Sequence, residues 1–157
     1  MTEFFKILVY GYGNPGREDD GLGAELVKRL EEWAVENRFS HIEFDSNYQL
    51  NIEDADAISE KEIVIFADAS TEDIESFELT EVSGEHDVSF TTHAASPGYI
   101  VKLCNDLFNK KPEVYLLHIK GYQWDFKEGL SEQAERNLQL ATCFLQEFLL
   151  NLQNKRT

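Results

Sequence analysis

The order of predicted elements indicates an α/β fold in which a mostly parallel sheet lies between two layers of helices. Residues 7–10 and 63–66 are continuous apolar runs rich in β-branched side chains, which is typical of central strands covered on both faces. Between them, apolar residues from Leu22 to Ala34 recur at helical spacing. Strands that alternate with helices in this way predict a three-layer α/β sandwich around a right-handed sheet.

The remaining strands continue the alternation. Residues 41–45 are predicted to form a second strand, and residues 114–119 another. Residues 77–82 alternate apolar and polar side chains among acidic residues, which predicts a half-solvated edge strand that could run antiparallel.

Two further helices complete the predicted layers. Ser96 and Pro97 predict the N-cap and first turn of a helix. Its predicted apolar stripe is Ile100, Val101, Leu103, Cys104, Leu107 and Phe108. The last helix is expected to begin near Ser131. Its predicted buried residues are Ala134, Leu138, Ala141, Leu145, Phe148 and Leu149. Residues 151–157 are expected to form a polar tail that frays.

Composition limits the classes of function. The chain has 157 residues, enough for one ordinary core, and no segment resembles a linker, so we predict one domain over residues 1–157. The 30 acidic and 14 basic residues give a formal charge of −16. Because phosphate attraction needs clustered Lys and Arg, this charge argues against a nucleic-acid or anionic-membrane surface. A neutral, basic or metal-bearing partner fits better.

The sequence also favours a cytoplasmic protein. The first residues lack the basic leader and long apolar stretch of a signal peptide, and no run approaches the ~18 apolar residues of a membrane span. Cys104 and Cys143 lie in apolar helical patterns without CxxC spacing, so we expect small core residues in a reducing compartment.

A glycine-rich turn follows the first strand and has the GxGxxG spacing of a dinucleotide site. Its glycines are Gly11, Gly13 and Gly16. Pro15 removes one backbone donor, and residues 18–20 add three carboxylates that would repel a pyrophosphate. Gly21 and Gly23 indicate that the helix begins later than the fingerprint requires. A dinucleotide-binding oxidoreductase is therefore ranked third among the possible functions.

Three side chains could meet at one edge of the sheet. Asp20 follows the first strand, at a helix N-terminus that would keep its carboxylate ionised. Asp68 ends the third strand, where it must be solvated, paired or bound. His93 lies in a loop before a helix. If the first and third strands are parallel neighbours, these groups share the carboxyl edge and could hold a divalent transition ion.

Each of these residues also has an ordinary interpretation. Asp19 or Asp20 could be only an N-cap, and Asp68 only a cap on the following turn. A lone loop histidine such as His93 is more often a surface residue. The same surface interpretation is given to His41, His86 and His118. No HExxH helix, GxSxG elbow, serine triad or activated cysteine is evident.

Four motifs, in their order along the chain, resemble those of the hydrogenase maturation proteases, a peptidase family that processes nickel-iron hydrogenase large subunits. The motifs are "GYGNPGREDDGLG", "FADAS", "TTHAASPGYIVKL" and "GLSEQAERNL". The resemblance runs from about Lys6 to Leu149. Its most specific element is Gly13-Asn14 followed by "DDGLG" at 19–23.

The resemblance implies a fold, an activity and a site. The fold would be a phosphorylase/hydrolase-like α/β/α sandwich with a twisted five-stranded sheet. The activity would be that of an endopeptidase that removes a C-terminal extension from the large-subunit precursor after nickel insertion. The family's metal-contacting acidic residue, strand-ending Asp and loop His match Asp20, Asp68 and His93. The nickel would be supplied by the precursor, so that the metal licenses cleavage.

The chain also departs from some members of the family. Residues 15–18 are Pro-Gly-Arg-Glu where some members carry Leu, so the resemblance leaves the identity of the partner subunit open. This version looks closer to members linked to soluble hydrogenases. Residues 45–55 are expected to line the cleft. A noncatalytic nickel- or partner-binding chaperone on the same fold is the main alternative.

Overall fold

The structure, a computed structural model, describes residues 4–84 and 95–156. Helices and strands alternate along the chain as the sequence predicts. In order, the elements are β1 (Ile7–Tyr12), a 3-10 helix (Glu18–Gly21), α1 (Leu22–Glu36), β2 (Ile42–Asn47), α2 (Asp54–Ser59), β3 (Ile63–Ser70), β4 (Phe77–Glu81), α3 (Pro97–Phe108), β5 (Glu113–Lys120) and α4 (Glu132–Arg156).

The five strands form one mostly parallel sheet in the order β2-β1-β3-β5-β4. The first four strands in that order run parallel, and β4 pairs antiparallel with β5 at the edge. The α/β class and the antiparallel edge strand are confirmed. Gly11 of β1 and Ala67 of β3 are register partners, so the carboxyl ends of these strands lie side by side. This arrangement brings the segment after β1 and the end of β3 to the same edge.

Helices cover both faces of the sheet and bury a core on each. On one face α1 and α4 pack against the sheet through buried side chains that include Leu22, Leu26, Leu30, Leu138, Leu145 and Leu149. On the other face α2 and α3 contribute Ala55, Ile58, Ile100 and Cys104. The three-layer arrangement is therefore present, because the continuous apolar runs of β1 and β3 supply side chains to both cores.

Helix α3 begins as predicted but buries less of its stripe. The Ser96 hydroxyl accepts a hydrogen bond from the Tyr99 amide at 3.2 Å, and Pro97 is the first helical residue. Leu107 and Phe108 are 67% and 40% exposed, so their prediction as buried residues is wrong. The last turn of α3 lies beside a surface cleft that Phe108 helps to line, instead of over the core.

The predicted polar tail is wrong, because α4 continues to Arg156. Leu152, only 9% exposed, lies three residues beyond Leu149 and extends the apolar stripe onto the core. Helical spacing thus outweighs the polar composition of this segment. Cys143 is exposed, contrary to the prediction, whereas Cys104 is buried; both are free thiols.

In the part of the chain that the structure describes, no helix has the length and apolar character needed to cross a membrane.

Candidate active site

Gly11 in β1 and Gly23 in the first turn of α1 allow the start of α1 to pack directly on the strand ends. A Cβ atom on Gly11 would lie 2.1 Å from the Gly23 carbonyl oxygen, and one on Gly23 would lie 2.5 Å from the Ala67 carbonyl oxygen. Real Cβ atoms do not approach so closely, so a side chain at either position would push the helix away from the sheet. Helix–strand packing therefore accounts for Gly11, the first glycine of the GxGxxG spacing.

The turn between β1 and α1 fixes the carboxylate of Asp20. Gly13 has a φ of 133°, which side chains rarely adopt, and its amide donates to the Asn47 carbonyl oxygen at 3.0 Å. The Asn14 amide donates to Asp20 Oδ2 at 2.8 Å, while Asn14 Oδ1 accepts from the Gly16 amide at 2.8 Å. Asp20 is thereby held by the backbone of its own turn, which is tied to the end of β2.

Asp68 lies near the end of β3 and is partly buried. Burial, and after it the negative charge of Asp20, raise the pKa of its carboxyl to about 7, although hydrogen bonds from Tyr12 and the Ala69 backbone oppose the shift. The 3-10 helix that carries Asp20 contacts β3, which carries Asp68 near its end, so the two carboxylates lie near each other at the carboxyl edge of the sheet. This is the edge at which open α/β folds bind their ligands.

Comparison with known proteins assigns the family. No family model matches the chain. A Methanocaldococcus jannaschii protein named as a candidate hydrogenase maturation protease is 30% identical over 139 residues, which cover 83% of this chain and 87% of that protein. The chain belongs to the hydrogenase maturation protease family. The resemblance found in the sequence motifs is thus confirmed, and the protein is a peptidase.

Solved structures of other maturation proteases share the fold. The hydrogenase maturating endopeptidase HybD of Escherichia coli superposes with a TM-score of 0.75 at 16% identity, covering 93% of each chain. The [NiFe] hydrogenase maturation protease HycI of Thermococcus kodakarensis gives a TM-score of 0.72 at 17% identity, covering 92% of each chain. At these identities the likeness shows a common architecture, in agreement with the predicted α/β/α class.

Of the three predicted site residues, the structure brings Asp20 and Asp68 together, and His93 lies outside the described residues. The assignment of all three as the site of this maturation protease stays a prediction. Over residues 4–84 and 95–156, no three His, Cys, Asp or Glu side chains form a group that could hold a metal ion. The pair of carboxylates is nevertheless suited to a cation, because a positive charge between them would relieve the repulsion that raises the pKa of Asp68.

Residues 17–20 form what we call the acidic turn. Neither of its aspartates, Asp19 or Asp20, caps α1, so the ordinary interpretation of either as an N-cap is wrong. The N-cap of α1 is Gly21, and no side chain bonds to the helix there. Asp19 points instead toward the loop between β5 and α4, where its oxygens accept hydrogen bonds from Tyr122 and Ser131, among others. The turn after β3 is stabilised by Ser70, whose hydroxyl accepts from the Glu72 amide at 3.0 Å.

Tyr12 and Asn14, which are not among the predicted site residues, also contact the two aspartates. The Tyr12 hydroxyl donates to Asp68, and burial together with the Asp68 charge raises the pKa of the phenol. Tyr12 ends β1 on the same face as Tyr10, so strand periodicity together with the parallel pairing of β1 and β3 could have indicated it. Asn14 belongs to the family motif, but its hydrogen bond to Asp20 depends on a turn geometry that spacing alone does not show.

The other histidines differ from the simple surface interpretation where the structure describes them. His118 is the register partner of Asp68 in β5, is half-buried, and hydrogen-bonds Thr80 Oγ1 through Nε2 at 3.0 Å. It lines a cleft of about 380 Å³ next to β4. His41 is half-buried and stacks on Phe4 with ring centroids 4.4 Å apart; burial lowers its pKa. His86 lies outside the described residues.

Proposed function

We propose that this maturation protease removes the C-terminal extension of a nickel-iron hydrogenase large-subunit precursor after nickel has been inserted. Family membership supports a peptidase that acts in hydrogenase maturation. The observation that carries the proposal within this chain is the Asp20–Asp68 pair, two interacting carboxylates at the ligand-binding edge of a parallel sheet.

In this proposal the nickel is part of the substrate. Asp20, Asp68 and His93 contact the ion already held by the precursor and so position the C-terminal peptide for hydrolysis. Two oxygens and one imidazole form an incomplete shell that leaves coordination positions for groups of the precursor. Either the ion polarises the scissile carbonyl, or a carboxylate activates the attacking water. In both cases a precursor without nickel lacks the ligand that the three side chains recognise.

Two local features support the roles of the aspartates. The Asn14 amide leaves Asp20 Oδ1 available, because the 2.8 Å hydrogen bond is made to Oδ2. Asp68 is stabilised in its charged form by the Tyr12 hydroxyl and the Ala69 backbone, but these bonds do not overcome burial and the charge of Asp20. A cation would therefore gain more from this pair than from two separate surface carboxylates.

The proposal predicts that cleavage depends on nickel. Purified protein is incubated with nickel-loaded and nickel-free precursor, and the products are measured by intact-mass spectrometry. We expect one new C-terminus from the loaded precursor and at least ~100-fold slower cleavage of the nickel-free form, since lost metal contacts of about 3 kcal/mol correspond to that factor. Equal processing of the two forms would contradict nickel licensing.

The same experiment separates the alternatives. A noncatalytic chaperone would bind the precursor without producing a new C-terminus, whereas a protease produces one that is defined. In a separate measurement, addition of NAD or NADP should leave the melting temperature unchanged, because Gly11 packs closely against α1 instead of presenting a cradle for a phosphate.

Both cysteines are free thiols, which supports the reducing cytoplasm as the place of this reaction.

A further inference from the structure

Asp19 is a buried carboxylate whose two oxygens are fully engaged. It is 0% exposed. Oδ2 accepts from the Tyr122 amide at 2.7 Å, the Gln123 amide at 3.0 Å and the Ser131 hydroxyl at 2.7 Å, while Oδ1 accepts from the Ser131 amide at 2.7 Å. All four donors belong to residues 121–131, which we call the β5–α4 loop. A buried charge with this many donors fixes the path of the loop.

Backbone contacts join the acidic turn to the same loop. The Asp19 amide donates to the Gln123 carbonyl oxygen at 3.0 Å, and the Glu18 amide donates to the Lys127 carbonyl oxygen at 2.8 Å. Arg17 donates from Nη2 to the Trp124 carbonyl oxygen at 3.1 Å. Three consecutive residues of the turn are thus bonded to the loop, so the two segments form one unit.

The next residue along the chain is Asp20, whose carboxylate points toward Asn14 and Asp68 instead of the loop. A movement of the backbone at Asp19 would therefore move Asp20 as well. Gly121 passes so close to Asp19 that a Cβ atom there would lie 2.8 Å from the Asp19 Cβ atom, which leaves little room for the turn to shift toward the loop. The acidic turn is therefore both closely packed against the β5–α4 loop and hydrogen-bonded to it.

We infer that Asp19 is a positioning residue, which holds Asp20 beside Asp68 by tying the acidic turn to the β5–α4 loop. Its carboxylate is occupied by the protein itself and does not contact the precursor. The effect on cleavage rests on the proposed function, whereas the effect on the position of Asp20 does not.

The Asn14 amide provides a direct readout of this position, because it donates to Asp20 Oδ2. In Asp19→Asn, the side-chain NH2 group would face backbone donors, so part of the bonding is lost. Ser131→Ala removes the hydroxyl bond to Asp19, together with the bond that this hydroxyl accepts from the Ala134 amide at 3.3 Å, and keeps the charge of Asp19. Thr142→Ala is the matched control, since it removes a buried side-chain hydrogen bond within α4, from Thr142 Oγ1 to the Leu138 carbonyl oxygen.

The experiment combines amide hydrogen exchange followed by NMR with single-turnover cleavage. For Asp19→Asn we expect Asn14 exchange to accelerate at least ~10-fold and the cleavage rate to fall at least ~10-fold, with precursor Kd within about threefold, as lost charge-assisted hydrogen bonds imply. Ser131→Ala should shift both quantities in the same direction by less. Thr142→Ala should leave both unchanged.

Two outcomes would overturn the inference. One is that Asp19→Asn accelerates amide exchange at Tyr122 and Gln123 but leaves exchange at Asn14 at the wild-type rate. Asp19 would then stabilise the β5–α4 loop without positioning Asp20. The other is wild-type cleavage by Asp19→Asn. If Asp19→Asn does not fold, Ser131→Ala carries the same comparison. If the wild-type protein cleaves no precursor, the proposed function fails, while Asn14 exchange still decides the role of Asp19.

Discussion

Two aspartates at the carboxyl edge of the sheet occupy opposite environments. Around Asp19, on the side of the β5–α4 loop, burial alone raises the pKa, but hydrogen bonds from Ser131, Tyr122 and Gln123 lower it below its ordinary value. Around Asp68, on the side of the sheet, burial and the charge of Asp20 outweigh two hydrogen bonds and raise the pKa to about 7. The protein stabilises the first charge itself and leaves the second unfavourable, which is the difference expected between a structural carboxylate and the functional carboxylate that we propose Asp68 to be.

Cleft size and charge environment point to opposite edges of the sheet. The larger clefts, of about 610 and 920 Å³, lie at the amino ends of the strands and are both lined by Phe5 and Lys61. Neither cleft includes Asp20 or Asp68. The charge environment, in contrast, points to the carboxyl edge, where burial and the charge of Asp20 raise the pKa of Asp68 to about 7.

The largest expected effect is the loss of cleavage on neutralising the site. Asp20→Asn, Asp68→Asn and His93→Ala should each slow cleavage of nickel-loaded precursor at least ~100-fold, because each removes a group that we propose contacts the ion. The fold should persist in Asp20→Asn, since an amide oxygen can still accept from the Asn14 backbone. Single-turnover rates and circular dichroism measure the two effects.

A matched control for charge is Glu31→Gln, which removes one exposed carboxylate on α1 from a chain with a formal charge of −16. It should cleave at the wild-type rate. Normal processing by both Asp20→Asn and His93→Ala would show that the site is assigned wrongly.

The parts of this molecule that the sequence predicts are those set by local pattern. Apolar runs identify β1 and β3 as buried parallel strands, and parallel pairing then places Asp20 and Asp68 at one edge before any coordinates are known. The role of Asp19 could not be predicted in this way, because its partners lie 103 to 112 residues away in a loop whose path no periodicity specifies. The helical end of α4 differs from its prediction for the opposite reason: the polar composition of this segment indicates a frayed tail, whereas the spacing of Leu152 from Leu149 continues the buried stripe of the helix.

A smaller effect is the gain of stability at neutral pH on removing the Asp68 charge. The ordinary pKa of 3.8 applies to the unfolded chain and about 7 to the folded one, so the folded state binds more protons between these values. Wild-type stability should therefore fall as pH rises from about 4 to 7 and then level off. Asp68→Asn lacks this loss and should be more stable at pH 8 by about 1–3 kcal/mol, after allowing for the partial exposure of Asp68.

Urea unfolding at several pH values from about 4.5 to 8.5 measures this difference, with Glu31→Gln again as the control, whose difference from wild type should stay small and constant. A stability difference between Asp68→Asn and wild type that did not grow with pH would show that the Asp68 charge costs the folded state little.

The smallest expected effect concerns Tyr12, one of two residues whose hydrogen bonds favour the charged form of Asp68. Its hydroxyl donates to the Asp68 carboxylate and lowers the pKa, so Tyr12→Phe should raise the pKa of Asp68 further above its value of about 7. One lost hydrogen bond to a charged group implies a rise of roughly one unit. NMR titration of the Asp68 carboxyl carbon measures it. Tyr10→Phe is the matched control, because it removes a hydroxyl on the same strand that donates to Asp54 at 3.1 Å. If Tyr12→Phe left the pKa of Asp68 unchanged, as Tyr10→Phe should, only the Ala69 backbone would stabilise the charged form of Asp68. Asp68 would then differ even more from Asp19, whose carboxylate accepts four hydrogen bonds.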